Sequence, residues 1–242
     1  VVVEEFLTGQ EVSLLAFTDG KTVLPLDSAQ DHKAAFDGDK GPNTGGMGAY
    51  SPASIFTDKL KQIVLDQIMI PTVKAMAKEG RYYRGILYAG LMLTDSGPKV
   101  LEFNARFGDP ETQPIMMRIQ NDIVPIFEAC IDGTLDKQNL EWKKEPSVCV
   151  VMASKGYPGS YEKGREIRGL TSGKNKQTVA FHAGTKLDNG KVLTNGGRVL
   201  GVTALGSDLN EAIKNAYNEV GNITWDGIHY RKDIGSKAKE TN

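Results

Sequence analysis

The sequence predicts an α+β fold in which antiparallel strands are accompanied by helices. Short apolar strand patterns are separated by tight-turn sequences, of which Asp19-Gly20 and Asp95-Ser96-Gly97 are the clearest hairpin signals. A helical pattern lies between these turns and begins at the capping residue Thr57. The last third of the chain mixes short strands with one amphipathic helix. Because strands joined by tight turns pair antiparallel, we expect an antiparallel sheet with helices in the first part, followed by a small α+β domain.

Composition restricts the class of protein. The 242 residues are 40% hydrophobic and 24% charged, as in a globular protein with a real core, and the net charge of −1 argues against nucleic acid as a partner. No apolar run is long enough to span a bilayer. Cys130 and Cys149 lie in apolar contexts without metal-site spacing, so we expect reduced core cysteines and a cytoplasmic location. The chain opens inside the apolar run at Val1, which suggests a fragment of a longer protein.

In the first part, turn and capping signals define the elements. We predict strands over residues 1–7, 12–17, 85–94 and 99–106, and helices over residues 111–119 and 122–130, the second capped by Asn121 or Asp122. The helix that begins at Thr57 runs towards Gly80, and Pro71 should kink or split it. Residues 37–48 hold five glycines and a proline, so we expect a shaped loop rather than a helix or strand.

A charged, proline-containing stretch over residues 141–146 predicts a domain boundary. Residues 1–145 then form one domain, residues 146–236 a small α+β domain, and residues 237–242 a tail or linker. The second domain contains predicted strands over residues 148–153 and 199–204, further short strands near Ala180 and Val192, and a helix over residues 209–220. Asn195-Gly196-Gly197 is predicted to be a hairpin turn.

The most informative pattern is an alternation near the end of the first part. Glu102, Asn104 and Arg106 are spaced by two residues, so a strand would place all three on one face. A carboxylate and an amide oxygen suit a hard divalent ion, and the guanidinium suits phosphate or a second carboxylate. A solvated strand face would show the same alternation. The ligand chemistry and the turn into a helix after Phe107 favour a functional site.

A glycine-rich loop over residues 41–48 gives a second signal. Glycine allows backbone N–H groups to approach an anion and wrap it, and Asn43 and Thr44 add short polar side chains. Lys33 precedes the loop and provides a cation for phosphate or carboxylate. The loop is not a Walker A motif, since no Gly-Lys-Ser/Thr follows. Glycine loops often have only a structural role, and both interpretations stay open on this pattern alone.

Four segments, taken in order, resemble the phosphoribosylamine–glycine ligase family of the ATP-grasp superfamily. They are Glu4-Glu5-Phe6-Leu7 with Glu11; Asp31-His32-Lys33; the run from Gly41 to Tyr50; and the run from Leu101 to Gln113. Later segments around Tyr157, His182 and Arg231 resemble the C-terminal domain of the family. The resemblance covers nearly the whole chain. It implies an ATP-grasp C-terminal subdomain, an antiparallel sheet with helices, followed by a small α+β domain.

The resemblance also implies an activity, which is the ATP-dependent joining of glycine to 5-phosphoribosylamine through glycyl phosphate in purine synthesis. It implies that Glu102 and Asn104 hold Mg2+ or Mn2+ against ATP, and that Arg106 and Lys33 act in catalysis. Four residues of the adenine-binding strand and one ribose ligand are implied to bind the nucleotide: Glu4, Glu5, Phe6, Leu7 and Glu11. The loop residues Asn43, Thr44, Gly45 and Gly46 are implied to face the substrates.

Two departures from the family pattern affect these expectations. Many ATP-grasp enzymes have another carboxylate on the preceding strand, where this chain has Gly90, so we expect a second metal site to be weak or to rely on nucleotide phosphates. The N-terminal substrate domain and the mobile lobe of the family should precede Val1. We therefore expect the missing N-terminal region to be a partner and the chain alone to be inactive. The overall sequence pattern of the chain is closer to that of eukaryotic family members, which are usually fused to other purine-synthesis domains. A non-catalytic ATP-grasp remnant and another purine-pathway ligase are the alternatives.

Overall fold

The computed structural model describes residues 1, 3–170 and 177–239, and these residues pack into two compact units. The first unit comprises Val1–Gln30, Ala53–Gly108 and Gln120–Glu141. The second unit comprises Asp31–Pro52, Asp109–Ile119 and Trp142–Asn242. Packing therefore groups residues 31–52 and 109–119 with the C-terminal part of the chain. The predicted boundary instead cuts the sequence once, between residues 145 and 146. Residues 171–176 of the predicted second domain and residues 240–242 of the predicted tail lie outside the described part.

The described residues form fourteen strands and five α-helices. In chain order the strands are β1 (Gln10–Thr18), β2 (Val23–Pro25), β3 (Gln30–Asp31), β4 (Ala34–Phe36), β5 (Lys40–Asn43), β6 (Gly48–Ser51), β7 (Gly85–Thr94), β8 (Gly97–Asn104), β9 (Ser147–Ser154), β10 (Thr178–His182), β11 (Thr185–Asp188), β12 (Lys191–Thr194), β13 (Arg198–Leu205) and β14 (Ile228–His229). The α-helices are α1 (Asp58–Val64), α2 (Ile70–Lys78), α3 (Thr112–Arg118), α4 (Val124–Asp132) and α5 (Leu209–Asn222). No helix in the described ranges has the length and apolar character needed to cross a membrane.

The first unit is built on a four-stranded antiparallel sheet with the order β2-β1-β7-β8. Both predicted hairpins are confirmed: β1 turns into β2 after Asp19-Gly20, and Thr94 pairs with Gly97 across the turn between β7 and β8. Alternate residues of β1 and β7 pack against α1 and α2 in one apolar core. Strand β8, which carries Glu102 and Asn104, thus lies at one edge of this sheet and is hydrogen-bonded to β7.

The helix that begins at Thr57 is interrupted as predicted. The Thr57 side chain accepts a hydrogen bond from the backbone N–H of Leu60 at 3.3 Å. A π-helical segment (Leu65–Met69) separates α1 from α2, and Pro71 lies in the first turn of α2. Proline cannot donate a backbone hydrogen bond, so it fits a helix start and not a helix interior.

The predicted strand over residues 1–7 is wrong. Residues 3–8 have no regular secondary structure, and Val3 and Phe6 are each 90% exposed. They form no strand pairs within the part of the chain that the structure describes. A strand is stable only when its backbone groups pair with a neighbour, so apolar composition alone does not create one.

The second unit contains a sheet with the order β10-β13-β9-β6-β3, and β14 also pairs with β9. Its core joins these strands to α5, through Ala212, Ala216 and Val220 on one helix face. Asp208 caps α5 by accepting from the backbone N–H of Glu211 at 2.9 Å. The predicted α+β character of this part is confirmed, as is the position of α5.

Two predictions about turns in the second unit are corrected. Asn195-Gly196-Gly197 does not form a hairpin, because β12 pairs with β11 and β13 pairs with β9 and β10. The hairpin turn lies instead at Asn189-Gly190, where both residues have positive φ values of 48° and 77°. Residues 37–48 are not entirely loop, since β5 pairs with β4 and β6 begins at Gly48.

Candidate functional site

Glu102 and Asn104 lie together on β8. They pair with Gly90 and Tyr88 of β7, and a bulge between Gly90 and Leu91 leaves the register of these two residues intact. The Asn104 Nδ2 group donates a hydrogen bond of 2.9 Å to Oε1 of Glu102. Glu102 is exposed and Asn104 is half-buried. The alternation read from the sequence therefore brings a carboxylate and an amide onto one accessible surface.

Arg106 does not continue this row as predicted. β8 ends at Asn104, and Arg106 lies in the bend that follows. Its Nη1 group donates to the backbone carbonyl of Phe107 at 2.7 Å, and the residue is exposed. Strand periodicity places side chains only while the strand persists, so it gives no face for Arg106.

The donor set at Glu102 and Asn104 fits a hard divalent cation. Because the Asn104 amide nitrogen is held by Glu102, its carbonyl oxygen is left to act as the second protein oxygen ligand beside the carboxylate. No group of three or more His, Cys, Asp or Glu residues suited to a metal occurs in the described ranges. Few protein ligands supplemented by water and phosphate oxygens are typical of Mg2+. Gly90 lies opposite Glu102, and a Cβ atom there would be 3.2 Å from Cγ of Glu102.

The predicted nucleotide-binding residues also lie in the first unit. Glu4, Glu5 and Phe6 are exposed and Leu7 is half-buried, in the segment without regular structure. Glu11 lies on β1 opposite Met92, and its backbone carbonyl accepts from Nε2 of Gln30 at 2.8 Å. The segment over residues 4–7, which the resemblance assigns to adenine, is therefore not held by strand pairing within the described residues.

The glycine-rich loop and Lys33 lie in the second unit. The Lys33 backbone carbonyl accepts from both N and Oγ1 of Thr44 at 2.8 Å, and its Nζ is 3.9 Å from Oδ2 of Asp31. Asn43 is the exposed last residue of β5. These contacts hold Thr44 against the Lys33 backbone, while the Lys33 ammonium lies beside Asp31.

The N–H groups of Gly45, Gly46 and Met47 all have acceptors within the protein, which favours the structural interpretation of this loop over the anion-binding one. The N–H of Gly45 donates to the Tyr157 hydroxyl at 3.0 Å, and that of Gly46 donates to Oγ1 of Thr44 at 2.9 Å. The N–H of Met47 donates to the His32 carbonyl at 2.8 Å. Donors that are already satisfied within the protein are not available to wrap a phosphate.

The loop carbonyls are held by a residue that the sequence did not single out. Arg198, at the start of β13, donates from Nη1 to the carbonyls of Gly45 and Gly46 at 2.7 and 3.4 Å. The same Nη1 donates to the carbonyl of Asp109 at 2.7 Å, and Nη2 donates to Oδ2 of Asp109 at 3.0 Å. The sequence contains one sign of this close contact, which is the adjacent pair Gly45-Gly46. In the structure, a Cβ atom on Gly45 would lie only 3.0 Å from the guanidinium carbon of Arg198.

A charge cluster centred on the buried Arg231 also stabilises the β4–β5 hairpin. Arg231 is 1% exposed and donates to Asp39 Oδ1 at 2.8 Å, to both carboxylate oxygens of Asp233 at 2.7 Å, and to the Ala34 carbonyl at 3.1 Å. Burial raises the pKa of Asp233, but its hydrogen bonds to Arg231 outweigh this and lower the pKa to about 2. His32 is buried beside the cluster, and its Nε2 accepts from the N–H of Gly235 at 3.3 Å.

Comparison with known proteins identifies the chain. Residues 1–112 match the family described as phosphoribosylglycinamide synthetase, ATP-grasp (A) domain, and residues 147–237 match the C domain of the same family. The chain belongs to the phosphoribosylglycinamide synthetase family. Both family segments are present in their expected order, which confirms the resemblance read from the sequence.

Relatives of this synthetase family match over nearly the whole chain. A phosphoribosylamine–glycine ligase of Halalkalibacterium halodurans is 55% identical over 239 residues, covering 98% of this chain and 55% of the relative. One from Synechocystis is 55% identical over 240 residues, covering 98% of this chain and 57% of the relative. The chain thus spans about half the length of the curated relatives it matches. These relatives are bacterial, and the predicted similarity of the sequence pattern to eukaryotic family members stays a prediction.

Solved structures confirm the fold of the synthetase family. The crystal structure of phosphoribosylamine–glycine ligase from Thermotoga maritima matches with a TM-score of 0.87 and 37% identity, over 96% of this chain and 57% of that one. The biotin carboxylase domain of the Hydrogenobacter thermophilus 2-oxoglutarate carboxylase, solved with MgADP, has a TM-score of 0.64 and 14% identity over 91% of this chain and 47% of that one. The ATP-grasp fold class predicted from the resemblance is confirmed.

Proposed function

We propose that this chain forms the C-terminal part of a phosphoribosylamine–glycine ligase. The intact protein joins glycine to 5-phosphoribosylamine, with ATP, to give glycinamide ribonucleotide, ADP and phosphate. The observation that carries this proposal is the Glu102–Asn104 pair, linked by a 2.9 Å hydrogen bond on an accessible strand of a chain that belongs to the synthetase family.

In this proposal, Glu102 and Asn104 hold a divalent ion, Mg2+ or Mn2+, through one carboxylate and one amide oxygen. When bound, the ion neutralises negative charge on the phosphates of ATP, which is a large part of what phosphoryl transfer requires. The hydrogen bond between the two side chains keeps both oxygens on one surface before any ligand arrives. Such preorganisation lowers the cost of assembling the site.

The remaining roles follow the same assignment. A glycine carboxylate oxygen attacks the γ-phosphorus of ATP and ADP leaves, so a glycyl phosphate forms. The amine nitrogen of 5-phosphoribosylamine then attacks the glycyl carbonyl carbon, loses a proton, and phosphate leaves. Arg106 steadies the negative charge of the transferring group, and Lys33 and the loop over residues 43–46 bind the substrates, the loop through the side chains of Asn43 and Thr44. Residues 4–7 and Glu11 bind the nucleotide base and ribose.

In this proposal the function also requires the part of the relatives that this chain does not match. We therefore expect the chain alone to give no sustained turnover with ATP, glycine, 5-phosphoribosylamine and Mg2+. The decisive test uses Glu102→Gln in the full-length protein. We expect ADP release that depends on both glycine and 5-phosphoribosylamine to fall on the order of 100-fold. Glu128→Gln, an exposed glutamate of α4 in the same unit, is the matched control. Full activity of Glu102→Gln would overturn the metal assignment, and a wild-type protein without this ADP release would favour a non-catalytic remnant.

A further inference from the structure

The geometry points to Arg198 as a positioning residue that holds the substrate loop in its working shape by pairing with Asp109. This inference rests on the proposed function, because the loop over residues 43–46 is assigned there to the substrates. Arg198 itself does not contact substrate in this account. It acts through the backbone of Gly45 and Gly46.

The guanidinium of Arg198 is committed to protein acceptors. Its Nη1 serves three backbone carbonyls at 2.7, 2.7 and 3.4 Å, and its Nη2 serves the Asp109 carboxylate at 3.0 Å. Its side chain is 22% exposed, against 49% for Asp109. A planar fork can satisfy several acceptors in one plane, which an ammonium group cannot do. The positions of these four acceptors therefore suit the guanidinium of an arginine, and a lysine ammonium would not satisfy them all.

The loop is shaped to fit the pair Arg198 and Asp109, which together we call the clamp. Gly46 has a φ of 111°, and a Cβ atom there would lie 2.4 Å from Cδ of Pro110. A Cβ on Gly45 would lie 3.0 Å from the Arg198 guanidinium and 3.3 Å from the Tyr157 hydroxyl. The two glycines therefore permit close approach of the clamp, and Tyr157 secures the remaining N–H of Gly45 at 3.0 Å.

The clamp also joins the loop to the segment that follows the metal pair in sequence. Asp109 comes three residues after Arg106, and Gln113 at the start of α3 lies 3.4 Å from the other Asp109 carboxylate oxygen. The substrate loop and the turn at Asp109 are thus fixed to one guanidinium. Displacement of a positioning group by about 1 Å can cost on the order of 100-fold in rate. We infer that loss of the clamp weakens substrate binding at the loop.

The test compares Arg198→Lys, Arg198→Met and Asp109→Asn in the full-length protein. We expect all three to raise the KM for glycine or 5-phosphoribosylamine on the order of tenfold or more, with a smaller change in kcat and an unchanged KM for ATP. The double variant Arg198→Met/Asp109→Asn should be no worse than the worse single variant, because both changes break the same clamp. Arg168→Met, which replaces an exposed arginine of the same unit that pairs with Glu166, is the control.

A direct contact between Arg198 and a substrate anion predicts a different pattern. Lysine would then retain much of the affinity as a point charge, and Asp109→Asn would be neutral or favourable. Either result overturns the clamp, as does an unchanged KM in Arg198→Met. Amide hydrogen exchange over residues 44–47 adds a readout independent of turnover: exchange should be faster in Arg198→Lys than in Arg168→Met, and equal rates would contradict the inference. If Arg198→Met fails to fold, Arg198→Lys and Asp109→Asn test the same contacts. Inactivity of the wild type would count against the proposed function and not against the clamp.

Discussion

The amide nitrogen of Asn104 donates a 2.9 Å hydrogen bond to the carboxylate of Glu102, so two residues of one strand face are already joined without a ligand. The bond uses the donor side of the amide and leaves its carbonyl oxygen as a ligand. It also restricts the rotamers of Glu102, which would otherwise be free on an exposed strand. One hydrogen bond thus fixes the orientation of both groups assigned to the metal.

Replacing Asn104 tests this orientation. In the full-length protein, Asn104→Leu removes both the amide oxygen and the donor, so we expect activity to fall on the order of 10- to 100-fold and the half-saturating Mg2+ concentration to rise. Asn104→Asp restores an oxygen ligand but places two carboxylates within hydrogen-bond distance, so its activity should decline more steeply as pH falls. Steady-state rates over a Mg2+ series measure both effects. Asn139→Leu, at an exposed asparagine of the same unit, is the control, and equal Mg2+ dependence in both leucine variants would refute the role of Asn104.

Asp19 is expected to stabilise the first unit. It is 3% exposed, and its carboxylate accepts from the backbone N–H groups of Lys21, Thr22 and Leu135 at 3.0, 2.7 and 3.2 Å. Burial raises the pKa of Asp19, but these hydrogen bonds together lower it below its usual value. A lowered folded pKa means that the stabilisation is present above the unfolded pKa of about 3.9 and is lost as pH falls further. We expect Asp19→Asn to reduce the free energy of unfolding by about 1–3 kcal/mol at pH 7 in urea titrations.

The acid limb of the same titrations provides the check on Asp19. The difference between wild type and Asp19→Asn should shrink as pH falls below about 4, because the unfolded carboxylate takes up its proton first and the folded carboxylate follows only at lower pH. Asp95→Asn, at an exposed aspartate in the turn between β7 and β8, should change stability little at any pH. A pH-independent loss in Asp19→Asn would rule out the proposed contribution of its charge.

His32 is expected to make the second unit sensitive to acid. Burial, with the nearby charges of Lys237 and Arg231, lowers the pKa of His32 to about 3. The unfolded histidine titrates at about 6.5, so below that pH the unfolded state binds the proton first and stability falls progressively towards pH 3. His32→Gln keeps an acceptor for the Gly235 N–H but cannot titrate, so its stability should vary less between pH 6.5 and 4. His182→Gln, at an exposed histidine of β10, should follow the wild type, and an unaltered pH profile in His32→Gln would exclude His32 as the source.

Sequence reasoning succeeded where local chemistry decides the structure. The hairpins at Asp19-Gly20 and Asp95-Ser96, the capped helix start at Thr57 and its interruption before Pro71 all depend on residues within a few positions of each other. The adjacency of Glu102 and Asn104 follows from strand alternation alone. These features need no information from distant parts of the chain.

Several errors concern pairing partners that the local sequence does not reveal. Arg198 is 153 residues from Gly45, so no local pattern could reveal that the loop N–H and C=O groups are taken by Tyr157 and Arg198. The strand expected over residues 1–7 was wrong because apolar composition does not supply a pairing partner. Asn195-Gly196-Gly197 has hairpin chemistry, but pairing partners elsewhere place β12 and β13 in different sheets.

Divalent-ion binding to the ADP-loaded full-length protein tests the central claim most directly, because it does not depend on turnover. Titration of Mn2+ followed by electron paramagnetic resonance gives dissociation constants for the wild type, Glu102→Gln, Asn104→Leu and the control Glu128→Gln. We predict at least about tenfold weaker binding in the first two variants and wild-type binding in Glu128→Gln. Equal Mn2+ affinity in all four proteins would contradict the assignment of Glu102 and Asn104 as the metal ligands.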